Sequence, residues 1–85
     1  MAKEGSWYVY ILECADNTLY TGVTTDLIRR VEEHNHSPKG AKYTRVRRPV
    51  ALVHSETFND RSSACVREAA IKKLSREEKQ ILLKG

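Results

Sequence analysis

"YVYILECADNTLYTG", residues 8–22, is the stretch on which the reading of this chain turns. With Trp7 in front of it, residues 7–14 are aromatic, aliphatic and β-branched up to Glu13 and Cys14, too short for an amphipathic helix and typical of a buried strand. After Ala15-Asp16-Asn17 the segment "TLYTGVT" reads as a second strand, so residues 7–24 form a hairpin. The loop length decides what the hairpin displays. A three-residue loop, with Asn17 in the left-handed conformation that asparagine tolerates, sets Cys14 opposite Thr18, Leu12 opposite Tyr20 and Tyr10 opposite Gly22. Tyr10 and Tyr20 then share one face as diagonal neighbours, and Gly22 leaves space beside Tyr10. A two-residue loop would send the tyrosines to opposite faces.

After the hairpin, Thr25 or Asp26 can cap a helix over residues 27–36, with Leu27, Ile28 and Val31 as its apolar stripe. Ser37-Pro38 and Gly40 break it. "VALVHSETF", residues 50–58, reads as a third strand, with Val50, Leu52 and His54 on one face and Ala51 and Val53 on the other. Asp60 caps a helix expected over 61–74, whose packing side is Val66, Ala70, Ile71 and Leu74. Ser75 and Glu78 match the capping box and start a last helix. The fold expected is α/β in the α+β sense: one domain over residues 1–85, a small mixed three-stranded sheet flanked by helices, in the order β-β-α-β-α-α.

Composition narrows the function. A chain of 85 residues builds one modest core, so a shallow surface site is expected rather than a deep multi-site enzyme. No apolar run is long enough to span a membrane and the start lacks a signal-peptide pattern, so the expected location is the cytoplasm with no membrane partner. Cys14 and Cys65 are then expected as free thiols. With His34, His36 and His54 they offer no spacing that suits zinc. The net charge is +4, and its excess is concentrated in "KGAKYTRVRR", residues 39–48, which holds five basic residues and no acid. Lys39, Lys42, Arg45, Arg47 and Arg48 could contact nucleic-acid phosphates there, with Tyr43 as a stacking ring, although charge runs are usually only solvated loops.

Five more polar groups stand out. Tyr10 and Tyr20 share a strand face, Arg30 and His34 stack four apart on the first helix, and Glu68 lies one turn from both Ala64 and Ile71 at an apolar border. Singly, each is more often structural: strand tyrosines pack, and helix charges face water. In order, however, they resemble the GIY-YIG nuclease domain. Its first triplet is similar to Tyr8-Val9-Tyr10 and its second to Tyr20-Thr21-Gly22. "TTDLIRRVEEH" resembles the helix that follows, placing the family's catalytic arginine on Arg30, and the family's metal-binding glutamate falls on Glu68 within "REAAIKKLSREEK". The likeness runs from about Trp7 to Leu83 and is nearest to the small stand-alone bacterial members, which share a stretch like "GAKYTRVRRP". Tyr8 and Thr21 depart from the two triplets, and an asparagine that some family nucleases carry has no counterpart after Glu68.

The resemblance implies a metal-dependent endonuclease that hydrolyses phosphodiester bonds in DNA, with RNA left open, and that selects structure rather than sequence. Tyr10 or Tyr20 would orient or deprotonate the attacking water, and Arg30 would bind the scissile phosphate. His34 would assist as proton shuttle or phosphate contact. Glu68 would hold Mg2+ or Mn2+, weakly in the absence of substrate, since magnesium keeps its waters and is often held by one carboxylate plus phosphates. Gly22 would be structural within the site. The alternatives are a binding module that does not cleave, and a nuclease subunit that needs a partner protein; oligomeric state is left open.

Overall fold

The computed structural model describes residues 6–84, so the expected domain span of 1–85 includes residues 1–5 and 85 that lie outside the described ones. The elements run β1 (Trp7–Glu13), β2 (Leu19–Thr24), α1 (Leu27–His36), α2 (Lys42–Arg45), β3 (Ala51–Phe58), α3 (Arg61–Lys72) and α4 (Arg76–Lys84). This is the α+β fold expected, with one short helix added inside the basic stretch. The sheet order is β2-β1-β3; the three strands expected are present, and both pairings are antiparallel rather than mixed.

The hairpin closes as its sequence dictates. Asn17 sits at φ 67°, the Cys14 amide donates to the Thr18 carbonyl at 2.8 Å, and Asp16 secures the loop by accepting from the Thr18 amide and hydroxyl. Asparagine takes the left-handed region at small cost, which is what a three-residue loop needs. The resulting register is Tyr10 opposite Gly22 and Leu12 opposite Tyr20.

Because β1 is the central strand, its alternate residues feed two cores. Val9 and Ile11 pack with Ala64 and Ile71 of α3, joined by Trp7, Phe58 and the α4 leucines Leu82 and Leu83. Tyr10, Leu12 and Cys14 pack on the other side with Val50, Tyr20, Leu27 and Val31. Full burial of such an aliphatic side chain stabilises by roughly 1.5–3 kcal/mol, so both helical layers are held to one strand.

Two details of the faces differ from expectation. Ile11 pairs with His54 but Leu12 with Leu52, so Val53 is the extra residue of a bulge and the alternation along β3 resets there. His54 therefore joins Glu56 on the α3 side, where Arg67 grips the Glu56 carboxylate, and does not share a face with Leu52. On α3, Val66 is 69% exposed and Ala70 is also exposed, while Ala64 and Ile71 are the fully buried residues. The packing stripe thus passes Arg67 and Glu68, whose charges hide it from a hydrophobicity pattern. The helix also ends at Lys72 rather than 74, its last turn tightening through Lys73 to Ala70 and Leu74 to Ile71 hydrogen bonds before Ser75 opens α4. The expected caps form: Asp26 accepts from the Arg29 amide, Asp60 from the Ser63 amide, and Ser75 and Glu78 bond reciprocally.

Candidate active site

The edge strand β2 separates α1 from α3, and a cleft of about 290 Å³ opens across it. Its lining includes Tyr10 from β1, Tyr20 and Gly22 from β2, Arg30 from α1 and Glu68 from α3. Side chains distant in sequence meet here because Gly22 has no side chain. The Tyr10 ring lies over it so closely that a Cβ on Gly22 would stand 2.5 Å from the phenolic oxygen and 2.6 Å from Cζ. Any larger residue would block the path by which Tyr10 reaches the cleft.

Tyr10 is almost wholly buried apart from its approach to the cleft, and its hydroxyl meets His34 Nε2 at 2.8 Å. His34, completely buried, meets the Thr44 hydroxyl through Nδ1 at 2.8 Å, and that hydroxyl donates to the Ala41 carbonyl at 2.9 Å. Having given its only proton to a carbonyl, Thr44 accepts from Nδ1–H. Nε2 is then bare and accepts from the Tyr10 O–H. The Ala41 amide also approaches Nδ1, at 3.4 Å, too far to compete. Tyr10 thus donates inward to a neutral imidazole and keeps its oxygen lone pairs for the cleft.

The electrostatics agree with this proton order. Burial pushes the Tyr10 phenol up to about 12, with Arg30 pulling it back and Tyr20 and Glu68 opposing ionisation. Burial, followed by the positive charge of Arg30, holds His34 down at about 4. At neutral pH both rings are uncharged. Arg30 is steered by its Nη1, which donates to Glu33 Oε1 and to the Lys39 carbonyl, each at 2.9 Å. The Tyr20 ring packs on His34 with centroids 5.2 Å apart and on Tyr10 at 6.5 Å. Its hydroxyl has no hydrogen-bond partner among the described residues, so it too is free for a ligand.

Glu68 is the one carboxylate lining the cleft, and Lys72 approaches its Oε2 at 3.2 Å. No group of three or more His, Cys, Asp or Glu that could hold a metal occurs among the described residues. A single, partly exposed carboxylate beside open polar space fits a hydrated magnesium ion and does not suit zinc.

The basic stretch divides. Arg48 donates to the carbonyls of Glu33, His34 and Ser37, satisfying the open end of α1. Arg47 pairs with Asp16 at 3.0 Å, bonds the Tyr43 carbonyl and lies 3.9 Å from the centre of the Tyr43 ring. Tyr43 in turn stacks on Tyr20 at 5.9 Å. These three side chains are each engaged by neighbouring residues. Lys39, Lys42 and Arg45 are exposed, and their side chains make no hydrogen bond or ion pair with any described residue.

Several residues of this site carry little or no mark in the sequence. Thr44 gave no signal, because its importance comes from α2 docking under α1. Arg61 and Cys65 also line the cleft. Their spacing to Glu68, i, i+4 and i+7, marks one face of a helix and could have found them.

Comparison with known proteins agrees with the geometry. The profile described as the GIY-YIG catalytic domain matches residues 6–81. A UPF0213 protein of Desulfotalea psychrophila is 61% identical over 94% of this chain and 73% of its own length. Another, of Listeria monocytogenes, is 51% identical over 98% of this chain and 92% of its own. Among solved structures, a UPF0213 protein from Bacillus halodurans has a TM-score of 0.61 at 48% identity, covering 93% of this chain and 83% of the other. A protein from E. faecalis has a TM-score of 0.66 at 46% identity, covering 99% and 88%. With a matching profile over most of its length and relatives this similar, the chain belongs to the GIY-YIG catalytic domain family, whose members are nuclease-type hydrolases.

Proposed function

We propose that the protein is a divalent-metal-dependent endonuclease that hydrolyses phosphodiester bonds in DNA, selecting structure rather than base sequence. The observation that carries this reading is the convergence of Tyr10, Tyr20, Arg30 and Glu68, from four elements, on one cleft. A module that only bound nucleic acid would need the basic surface but not a buried Tyr10–His34–Thr44 chain ending at that cleft.

In the proposed reaction a water in the cleft attacks phosphorus and gives its proton to the Tyr10 oxygen, while the Tyr10 O–H proton moves to His34 Nε2. Thr44 keeps the imidazole in the tautomer that can receive it. The phenol need not ionise beforehand, which its value of about 12 would forbid at neutral pH. His34 is a poor proton acceptor in the empty cleft; the negative charge of a bound phosphate makes its protonation easier. Arg30 holds the scissile phosphate through the donors its Glu33 and Lys39 contacts leave free, and stabilises the charge that builds on it. Tyr20 orients the water or a phosphate oxygen. Glu68 would hold the metal, which when bound supplies Lewis-acid stabilisation of the phosphoryl charge and leaving oxygen. Lys39, Lys42 and Arg45 guide the backbone, positioning without reading sequence. The test is cleavage kinetics of Tyr20→Phe and Arg30→Ala in magnesium: each should lose ~10²-fold or more in rate with folding retained. Wild-type rates in both would overturn these roles.

A further inference from the structure

The wall of the cleft facing Arg30 carries a second guanidinium that the reaction above does not use. Arg61 opens α3, on the same stripe as Cys65 and Glu68, and lines the cleft beside Trp7. Its guanidinium carbon lies 5.8 Å from the centre of the Trp7 ring. Unlike Arg30, Arg47, Arg48 and Arg67, which spend donors on Glu33, Asp16, main-chain carbonyls and Glu56, Arg61 makes no hydrogen bond or ion pair with any described residue. The nearby Glu68 already faces Lys72. The cleft therefore contains a planar, permanently charged fork with all its donors unused, loosely held by an indole face that limits its freedom.

The two cleft arginines come from opposite layers, Arg30 from α1 and Arg61 from α3, with Tyr10, Tyr20 and Gly22 between them. A ligand that satisfied both would have negative charge at two places along its length. We infer that Arg61 binds a phosphate neighbouring the scissile one, so that the substrate strand crosses β2 from the α1 wall to the α3 wall. This rests on the hydrolase reading and deepens it: the substrate class is a continuous polynucleotide backbone, held by guanidinium groups at two phosphates, rather than an isolated phosphodiester.

The test measures binding of a labelled single-stranded oligonucleotide to the whole protein in EDTA, where nothing is cut, from about 50 to 300 mM salt. A phosphate contact contributes about 0.7 to the slope of log affinity against log salt on a single strand. Arg61→Gln should make the slope shallower by about that amount, Arg61→Lys should restore it, and Lys73→Gln, at the far end of α3, should leave it unchanged. In magnesium, Arg61→Gln should raise KM for the oligonucleotide about tenfold with kcat within about twofold. If the native protein binds and cuts but Arg61→Gln keeps the native slope and KM, the assignment of Arg61 is overturned and the hydrolase reading stands. If Arg61→Lys fails to restore the slope, or Arg61→Gln melts well below the native protein, Arg61 is structural and the assignment also falls. If the native protein neither binds nor cuts DNA, the hydrolase reading falls and takes this inference with it.

Discussion

Gly22→Ala is the smallest change that tests whether the hairpin was built around the Tyr10 ring. Alanine suits a strand better than glycine, by about 0.5–1 kcal/mol, so on local grounds the substitution should stabilise. The new Cβ would stand 2.5 Å from the Tyr10 oxygen, 2.6 Å from Cζ and 3.0 Å from Cε2, distances at which something must move. Tyr10 is too well buried to swing aside cheaply, and such overpacking costs about 1–3 kcal/mol. Displacing the phenol also strips His34 Nε2 of its partner in a fully buried position, for about 1–3 kcal/mol more. The net loss should be about 2–4 kcal/mol, which for a domain of this size lowers Tm by roughly 10–25 °C. Thermal and urea melts of Gly22→Ala, Tyr10→Leu and the double variant measure it. In the Tyr10→Leu background the ring is gone, so Gly22→Ala should become neutral or mildly stabilising. If Gly22→Ala is as stable as the native protein, or equally damaging with and without the Tyr10 ring, the steric reasoning is wrong.

Further expectations follow from the same geometry. Thr44→Val keeps the shape but leaves the Nδ1–H of His34 without its acceptor, so it should cost about 1–3 kcal/mol in urea unfolding. The His34 value of about 4 in the folded state lies below the 6.5 of the unfolded chain, so the unfolded chain takes up a proton that the native state refuses. Stability should therefore fall as pH drops from about 6.5 toward 4, by up to about 1.4 kcal/mol per unit from this group, and be flat above; His34→Gln should remove that component from the melts. Glu68 is a single carboxylate, so calorimetry should find weak magnesium binding to the protein alone and tighter binding with an oligonucleotide present; tight binding to the free protein would count against it.

The hairpin was legible because its information is local: a three-residue loop and the period of two together determine which residues face each other, so the Tyr10–Gly22 and Leu12–Tyr20 pairs followed from the sequence alone. Caps were legible for the same reason, since Asp26, Asp60 and the Ser75–Glu78 pair act within one turn. What stayed hidden depends on tertiary docking. The bulge at Val53 leaves no mark in a run of apolar and polar residues that alternates acceptably either way. The packing face of α3 was misplaced because Glu68 interrupts it, and that carboxylate belongs to the cleft rather than to the core. Arg47, Arg48 and Tyr43 looked like one basic surface with Lys39, Lys42 and Arg45. Only the closeness of Asp16, Tyr20 and the end of α1 shows that the first three also pack against neighbouring residues, which Lys39, Lys42 and Arg45 do not. Thr44 could not have been singled out at all, for its partner His34 is ten residues away on another helix.

Whether this cleft hydrolyses phosphodiesters with Glu68 as its metal ligand turns on one comparison. Purified native protein and Glu68→Gln, matched for folding by their melts, are incubated with plasmid, single-stranded and branched DNA in magnesium, in manganese and in EDTA. The native protein should cleave at least one of these forms in a metal-dependent way, and Glu68→Gln should lose ~10²-fold or more in rate. Absence of cleavage in every form, or equal cleavage by the two proteins, would contradict this reading of the cleft.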